Sequence, residues 1–316
     1  MKLTRDAGID DPEKLAKLQD SNRKTVAQIA GGAALVLAFS WTFLKDQQTL
    51  DLSRTQTVNQ QFAEAAKLLA NGADAKSSTA EGRAAAIYSL ESIVNSRAEY
   101  YAPVVYTLLT LIHERQSSVR YPEGARPPHV TNDVKAAIYV IGRFPRLKNR
   151  PLDFRELHLV GGSFSSSDTF EDANFRGAKL FATDFTGAKL VNAKFEGSQM
   201  SDWEAYGWKM PDGFTDELAN SKNWKEFMRF RYITFFDGAD LSHAQFNQVY
   251  VNGVSFQKAD LSDANFKEAN VGRADFSGAK NLQAAHFDNA CYDEPFKPLG
   301  LSDAIIKKMK VRPTCR

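Results

Sequence analysis

The sequence predicts a mainly β protein that winds as a solenoid, preceded by one transmembrane helix and a small all-α domain. Three observations predict this architecture: a large apolar residue recurs every five positions in the C-terminal half, 20 consecutive residues near the N-terminus carry no charge, and the region between shows apolar residues at helical spacing. In chain order we predict a polar tail (1–24), the transmembrane helix (25–44), a helical domain (47–149), a first repeat run (152–200), an aromatic-rich insertion (201–235), a second repeat run (236–290), and a C-terminal cap with a basic tail (291–316).

The uncharged stretch runs from Thr25 to Leu44. A helix of this length spans the hydrocarbon core of a bilayer, which is roughly 30 Å thick. Arg23 precedes the stretch, and Trp41 lies where indole rings settle at a membrane interface. A cleaved signal peptide fits less well, because the apolar run is too long and no small-x-small cleavage site follows it. A buried core helix is the other alternative.

The charges on either side of residues 25–44 predict an orientation. Residues 1–24 hold six Lys/Arg, and the 20 residues after the span hold two, Lys45 and Arg54. The positive-inside rule therefore predicts a single-pass protein of the cell (inner) membrane, with a cytoplasmic N-terminus and exported repeats. Small residues in the span, such as Gly31 and Ala34, would allow close contact between helices and hence an oligomer.

The helical domain is predicted from apolar residues at helical spacing. The predicted helices span 47–70, 80–97, 100–115 and the residues that follow Thr131. Thr131 stands where it can cap the last helix, and Gly142 and Pro145 are expected to end it. We predict a HEAT-like or armadillo-like stack that covers the first coil of the solenoid, since an open end would expose apolar core.

The five-residue period decides the fold of the remaining chain. The large apolar positions are Phe154, Leu159, Phe164, Phe170, Phe175, Leu180, Phe185, Leu190, Phe195, Met200, Phe236, Leu241, Phe246, Val251, Phe256, Leu261, Phe266, Val271, Phe276, Leu282 and Phe287. A small residue stands two positions before most of them, for example Ala264 before Phe266. This period fits neither a helix nor a flat strand, but it fits a chain that turns a corner every five residues with both residues inward.

The segments AKLFA, AKLVN, ADLSH, ADLSD, ANFKE and ADFSG resemble the pentapeptide-repeat family, whose motif is A(D/N)Lxx. The resemblance covers about residues 152–290 and implies a right-handed quadrilateral β-helix with four repeats per coil. The sequence supports four repeats independently, because positions 20 apart keep their residue type, as in Phe236/Phe256/Phe276. Like residues would then stack at one strand spacing, about 4.8 Å.

The wider arrangement resembles a bacterial group of membrane-anchored pentapeptide-repeat proteins. Phe62, Ala65, Leu68 and the segment Ala86 to Glu91 match in part a motif that precedes the repeats in that group. Many of its members look cytosolic, so a cytoplasmic repeat domain stands as the alternative to an exported one.

The insertion at 201–235 has about twice the aromatic density of the whole chain. We consider it either a loop and helix folded back on the solenoid wall or a partner-binding patch, since exposed Trp, Tyr and Arg form interface hot spots. The candidate partner-binding residues are Trp203, Tyr206, Trp208, Trp224, Phe227, Arg229 and Tyr232.

Other residues give little indication of chemistry. The chain has a formal net charge of +2, no P-loop, GxGxxG, HExxH or GxSxG motif, and five scattered histidines. Its two cysteines, Cys291 and Cys315, lack zinc-site spacing, and the sequence does not show whether they pair. We therefore predict no enzyme, no cofactor and no metal. The basic tail after residue 301 is expected to form a short helix that covers the last coil or touches anionic lipid.

These observations predict a non-catalytic membrane-anchored scaffold or accessory subunit. It would bind other proteins of a membrane complex through its helical domain, solenoid walls and aromatic insertion, and contact the lipid bilayer through residues 25–44. The alternative is a DNA-mimic inhibitor of a topoisomerase such as gyrase, which some members of the family are. Residues 150–291 carry a net charge of only −5, which is low for a mimic of duplex DNA, so we expect no role linked to nucleic acid.

Overall fold

The computed structural model describes residues 53–69, 79–117, 119–120, 128–145, 151–167, 169–201, 233–292 and 296–311. The chain divides into two compact units, Met1–Gln61 and Phe62–Arg316. No helix in the described ranges combines the length and apolar character needed to cross a bilayer. The predicted transmembrane segment, residues 25–44, lies outside those ranges.

In the described ranges, four helices precede the coils. Residues 53–69 are helical (α1). The other three are α2 (Ala80–Ser96), α3 (Tyr101–Gln116) and α4 (Asn132–Arg143), with a 3₁₀ turn at Ala98–Tyr100 between α2 and α3. Helices α2, α3 and α4 thus lie within one or two residues of the predicted bounds, and the predicted start of the first helix at residue 47 lies outside the described residues.

Helices α2 and α4 run in the same direction. Two ion pairs show this, one near the starts of the two helices and one near their ends. Near their starts, Arg83 Nε lies 2.6 Å from Asp133 Oδ2, and both side chains are buried. Near their ends, Arg143 Nη1 lies 3.2 Å from Glu91 Oε1. Burial raises the pKa of the Asp133 carboxyl, but hydrogen bonds from Thr131 and Arg83 outweigh that effect and hold the pKa below its ordinary value.

The predicted end of α4 is wrong by one residue. Gly142 was expected to stop the helix, but it lies inside α4, which ends at Arg143. A side chain at Gly142 would press on Ser167 Oγ, and its Cβ would lie 3.1 Å from Ser167 Cβ. The glycine is therefore required because α4 approaches the first coil closely. Thr131 is the N-cap residue as predicted, but its hydroxyl binds Asp133 and not a backbone N–H.

Residues 152–167, 169–201 and 233–292 form the solenoid as parallel coils with four walls. Single residues, most of them directly before an inward centre, form the bridges between successive coils. Wall 1 contains Asp153, Asn174, Lys194, Gln245, Asn265 and His286; wall 2 contains His158, Lys179, Gln199, Tyr250, Asn270 and Cys291; wall 3 contains Ser163, Asp184, Phe235, Ser255, Asp275 and Leu299; wall 4 contains Lys189, Asp240, Asp260 and Lys280. The walls follow one another in this order along the chain, so wall 4 adjoins wall 1.

The A(D/N)L motif has a local cause in this geometry. At eight bridge positions the Asp or Asn side chain accepts a hydrogen bond from the backbone N–H two residues ahead, for example Asp260 from Ser262 at 3.0 Å and Asn265 from Lys267 at 3.0 Å. The residue after that usually has a left-handed backbone, as at Asp263 with φ 52°. The side-chain bond thus stabilises each corner.

The core is filled by columns of stacked rings. On walls 1 and 3, successive phenylalanine rings lie 4.8–5.2 Å apart within each column. The two columns meet edge to face, as between Phe246 and Phe256 at 5.5 Å and 89°. The predicted columns and the predicted inward position of Ala264 are confirmed, since these residues are fully buried.

The stacking continues across the insertion. Phe185 stacks on Phe236 at 4.9 Å, and Phe195 stacks on Phe246 at 4.8 Å. Ser201 donates a hydrogen bond to the carbonyl of Asn252. Ser201 and residues 233–235 therefore belong to the coils, so the undescribed part of the insertion is 202–232.

Leu282 was predicted as a repeat centre, and this prediction is wrong. The side chain of Leu282 is half-buried, whereas the other centres are buried. The bridge column of wall 4 reaches Lys280, and Asn281 then takes a left-handed conformation with φ 58°. The corner comes early, so Leu282 does not point into the core.

Both ends of the solenoid are covered. At the first coil, His113 Nε2 lies 2.8 Å from the carbonyl oxygen of Asp153, and His158 N–H donates to the carbonyl of Gln116 at 3.3 Å. At the last coil, β1 (Cys291–Tyr292) pairs in parallel with β2 (Lys310–Val311), after the short helix α5 (Asp303–Ile306). The helix was predicted from sequence, but the strand was not.

Candidate interaction surface

The residues that could meet a partner are those at outward repeat positions. In each repeat, the centre and the small residue two before it face the core, and the other three positions face out. Where an outward residue is buried, something covers that part of the wall. The pattern of burial at outward positions therefore shows which walls are free.

The corner between walls 2 and 3 is covered. Outward residues there are buried despite their position: Phe181 is 1% exposed, Phe235 6% and Asp275 1%. At the first coil the cover includes Val130, whose N–H donates to the carbonyl of Val160 at 2.9 Å. At the fifth coil it includes Phe296, whose ring lies over the Arg273 guanidinium at 3.9 Å.

Among the described residues, walls 4 and 1 have no buried bridge residue, whereas wall 2 has two (Asn270 and Cys291) and wall 3 has three (Phe235, Ser255 and Asp275). On walls 4 and 1, Lys189, Lys280 and His286 are exposed. The exception at the same repeat position is Thr169, whose hydroxyl donates to the carbonyls of Gly142 and Phe144 at the end of α4. Away from that contact, each described bridge residue of these two walls is at least partly exposed.

Wall 4 has a defined charge order. Its bridge column reads Lys189, Asp240, Asp260, Lys280, with a cation at each end and two carboxylates between. Burial raises the pKa of the Asp260 carboxyl, but hydrogen bonds from Asn281 and Ser262 outweigh it and hold the pKa below its ordinary value. The carboxylate therefore stays ionised at neutral pH.

Wall 1 is held by contacts between coils. Arg176 Nη2 lies 2.7 Å from Glu196 Oε1, and the Gln248 amide donates to Glu268 Oε2 at 2.8 Å. Exposed pairs of this kind stabilise a fold by about 0–1 kcal/mol each. Their main effect is to fix the side chains in a regular array on a rigid wall.

The helical domain presents a second exposed group. Tyr88 on α2 is 47% exposed and Tyr139 on α4 is 53% exposed. The Arg143 guanidinium lies 5.3 Å from the Tyr139 ring centroid. Because α2 and α4 are parallel and paired at both ends, the two tyrosines stand at the same level. Tyrosine and arginine are the residue types that dominate interface energies.

The sequence-predicted partner-binding residues cannot be placed on this surface. Trp203, Tyr206, Trp208, Trp224, Phe227, Arg229 and Tyr232 all lie outside the described residues. Whether they form a binding patch therefore stays a prediction.

Two of the histidines, His129 and His158, do not lie on walls 4 and 1. His129 packs against Gly161, and His158 is half-buried on wall 2. Burial lowers the pKa of both imidazoles, and Lys135 and Lys179 respectively lower it further. Within the described ranges, no group of three or more His, Cys, Asp or Glu side chains could hold a metal ion.

Sequence reasoning missed which walls are free, although a signal for it exists. Outward repeat positions are usually polar, and phenylalanine at two of them, Phe181 and Phe235, is out of place on a solvated wall. A large apolar residue at an outward position indicates cover. Part of the charge order of wall 4 can also be found in the sequence. The residues 20 and 40 positions before Lys280 are Asp260 and Asp240.

Comparison with known proteins identifies the repeats. Eight copies of the family model "Pentapeptide repeats" match residues 169–202, 239–278 and 255–291. No curated protein sequence matches the chain.

Several solved structures show detectable similarity to this chain. Full-length QnrB1, a plasmid-mediated fluoroquinolone resistance protein, is 15% identical and covers 54% of this chain and 87% of its own, with a TM-score of 0.23. The pentapeptide-repeat protein Rfr23 from the cyanobacterium Cyanothece 51142 is 16% identical over 50% of this chain and 86% of its own, with a TM-score of 0.18. HetL from Nostoc sp. strain PCC 7120, which is involved in the regulation of heterocyst differentiation, is 19% identical over 53% and 70%, with a TM-score of 0.18.

Identities and TM-scores this low carry no argument about partners or activity. The family model and the coil geometry agree independently: the matched residues are the ones that form the four-walled coils. The chain therefore contains pentapeptide repeats over residues 169–202 and 239–291.

Proposed function

We propose that this protein is a non-catalytic, membrane-anchored scaffold or accessory subunit, and that walls 4 and 1 of its solenoid bind another protein of a membrane complex. The observation that carries the proposal is the unequal cover of the four walls. In the described coils, no bridge residue of walls 4 and 1 is buried, whereas two of wall 2 and three of wall 3 are buried.

The dense packing of the solenoid interior supports a role in which the outer surface binds the partner. Opposed phenylalanine columns fill the coil, and their rings meet face to face within a column and edge to face between columns, all within 6 Å. Packing at that density leaves no room for a substrate inside the coil. Recognition therefore depends on the outward side chains.

The chemistry of wall 4 suits a protein partner with a matching charge order. A partner strand or helix that carries acidic groups opposite Lys189 and Lys280, with a basic group opposite Asp240 and Asp260, would meet four charges at about one coil spacing each. Charge complementarity of this kind sets specificity and association rate more than raw affinity. The DNA-mimic alternative is not favoured, because the acidic part of the wall 4 column is only two residues long, Asp240 and Asp260, and a lysine stands at each end of it. We expect no inhibition in a gyrase supercoiling assay.

The membrane anchor is part of the proposal. Its support is the uncharged stretch at residues 25–44 and the basic residues before it. We further propose the exported side for the repeats, on the same charge distribution. Alkaline carbonate extraction should leave the full chain in the membrane fraction, and deletion of residues 1–44 should release it; release of the full chain would contradict the anchor.

The test of wall binding is affinity capture of the full chain from membranes in mild detergent. The Lys189→Glu/Lys280→Glu variant inverts both cations of wall 4, and we expect recovery of the specific partner to fall about tenfold or more. The matched control is Lys308→Glu, an exposed lysine of the C-terminal segment, which should retain the partner. Circular dichroism of each variant checks the fold.

Two outcomes would contradict the proposal. Equal capture by the double variant and the wild type would show that wall 4 is not the binding surface. Loss of the partner from both variants would show a general charge effect.

A further inference from the structure

Helix α4 is covered on three sides and open on the fourth. It packs against α2 and α3, and the first coil lies on a third side, where Ile138 Cδ1 is 3.6 Å from the place of a Cβ added at Gly162. Eight of its 12 residues are buried. The exposed residues are Asn132, Lys135, Tyr139 and Arg143. The last three follow one another at intervals of four and form a single ridge along the helix.

The exposed tyrosines of α2 and α4 face the same side of the helix pair. The two ion pairs described above mark the faces with which these helices meet. Each position along an α-helix turns about 100° around the axis, so Tyr88 lies about 100° from the meeting face on α2, and Tyr139 lies about 80° from it, in the opposite sense, on α4. In a parallel pair these two rotations lead to the same side. The ridge of α4 and Tyr88 therefore form one surface, here named the tyrosine face (Tyr88, Lys135, Tyr139 and Arg143).

The tyrosine face carries positive charge. Lys135 belongs to no ion pair among the described residues. Arg143 Nη1 lies 3.2 Å from Glu91 Oε1, but the arginine side chain is 55% exposed and the glutamate only 12%. A guanidinium has five N–H donors, so Arg143 can bind a second carboxylate from the solvent side. The face thus presents two cations with a tyrosine between them.

The arginine is held in position before a partner arrives. The Glu91 carboxylate restrains the guanidinium from one side, and the Tyr139 ring, whose centroid is 5.3 Å from Arg143 Cζ, restrains it from another. Ordering a flexible side chain on binding costs free energy, so a side chain that is already ordered loses less. Tyrosine and arginine side chains fixed in this way are typical interface hot spots.

We propose that the tyrosine face is a second docking surface, which binds an acidic amphipathic helix of a partner protein. Lys135 and Arg143 are eight positions apart, which separates them by roughly 12 Å along the α4 axis. Two carboxylates seven positions apart on a partner helix are separated by about 10.5 Å and therefore match both cations. Apolar side chains between the two carboxylates would cover the rings of Tyr88 and Tyr139, as a helix does when it lies in a groove.

A lipid surface fits the tyrosine face less well. Segments that bind anionic headgroups cluster about 4–8 lysines and arginines. This face has two cations, and one of them is already paired with Glu91. A row of two charges with aromatic rings between them matches one ridge of a helix better than a plane of headgroups. All four residues of the face lie on helices, so binding there is independent of wall 4.

The test measures binding of synthetic peptides to the full chain in mild detergent by fluorescence anisotropy. The probe is a fluorescein-labelled helical peptide with two glutamates seven positions apart and leucines between them on the same face. The control peptide has lysines in place of the glutamates. We expect the acidic peptide to bind at least about tenfold more tightly than the lysine peptide, and a rise in salt from about 50 mM to about 500 mM should weaken its binding.

Two variants of the tyrosine face should weaken binding of the acidic peptide. Lys135→Glu inverts the unpaired cation and Tyr139→Ala removes the central ring, and each should raise the Kd about tenfold. The matched controls are Lys308→Glu in the C-terminal segment and Tyr106→Ala on α3, where the tyrosine is 37% exposed. Both controls should keep the wild-type Kd. Circular dichroism of each variant checks that the fold is retained.

Three results would overturn the proposal. The first is equal affinity for the acidic and the lysine peptide, and the second is an unchanged Kd in both Lys135→Glu and Tyr139→Ala. The third is failure to bind the acidic peptide together with binding to phosphatidylglycerol vesicles that Lys135→Glu abolishes, since the face would then serve a lipid surface. The peptide assay contains no partner captured through wall 4, so failure here is distinguishable from failure of wall 4 binding.

Discussion

Replacing Phe256 by alanine removes the middle ring of the wall 3 column. Phe256 is fully buried and stacks between Phe236 at 5.2 Å and Phe276 at 5.0 Å. Its edge also meets Phe246 and Phe266 of wall 1, at 5.5 and 5.4 Å. The change thus removes four aromatic contacts and leaves a buried cavity that solvent does not fill.

The expected cost follows from burial and rigidity. A buried Phe→Ala change costs about 3–5 kcal/mol. We expect the upper part of that range, because the backbone ladder between coils keeps the neighbouring rings from closing the cavity: Phe256 N–H bonds to the Asp275 carbonyl at 2.8 Å, and the Phe236 N–H bonds to that of Ser255 at 2.8 Å. In a domain of this size, each kcal/mol lowers the melting temperature by about 2–4 °C. The Phe256→Ala melting temperature, followed by circular dichroism in the β region, should therefore fall by about 10–20 °C.

The matched control lies at the end of the other column. Phe287 is 5% exposed and stacks on one ring, Phe266, at 5.1 Å. Phe287→Ala should cost clearly less than Phe256→Ala, since the last coil can relax toward solvent. Equal melting shifts for the two variants, or a loss below about 1 kcal/mol for Phe256→Ala, would refute the claim that stacked rings stabilise the coil.

Further predictions concern the helical domain and its contact with the first coil. Asp133→Ala leaves the Arg83 guanidinium buried without its partner and should destabilise the protein by about 3–5 kcal/mol in urea unfolding, whereas the double change Asp133→Ala/Arg83→Met should recover much of that loss; no recovery would contradict the pairing argument. Gly142→Val should lower the melting temperature, because the new side chain meets the first coil; an unchanged melting curve would show that α4 does not dock there. The pKa values of His129 and His158 are lowered in the fold, so the stability they contribute is present above the ordinary histidine pKa of about 6.5 and is lost as the pH falls below it. The melting temperature should fall between pH 7.5 and pH 5, and replacing both histidines by glutamine should flatten the profile; a wild-type profile that is already flat would refute the assignment.

The coil was predictable from sequence because each repeat encodes its own position. The inward residues are large and small in alternation, so Phe256 and Ala264 could be assigned without any knowledge of distant contacts. The Asp and Asn residues before the centres bond to their own backbone two residues ahead, which is a local interaction that sequence can show.

Features that depend on contact between distant segments were not predictable in the same way. Gly142 has the sequence character of a helix stop, but its role is set by Ser167 of the first coil. Leu282 fits the five-residue period, but the corner at Asn281 turns it away from the core. The cover over Phe181 and Phe235 depends on the folded chain, and the residues chosen from aromatic density in the insertion lie outside the described ranges.

The unbroken column across residues 202–232 has a consequence for how this molecule can be altered. Phe195 and Phe246 meet as closely as rings joined by an ordinary coil, although 50 residues separate them. Thr234 fixes the returning chain through its hydroxyl, which donates to the carbonyls of Leu180 and Met200 at 2.6 and 2.9 Å. The described residues on both sides of 202–232 thus hold the junction through contacts of their own. A short linker or a foreign domain could be grafted between Ser201 and Ile233 while the rod beneath keeps its shape.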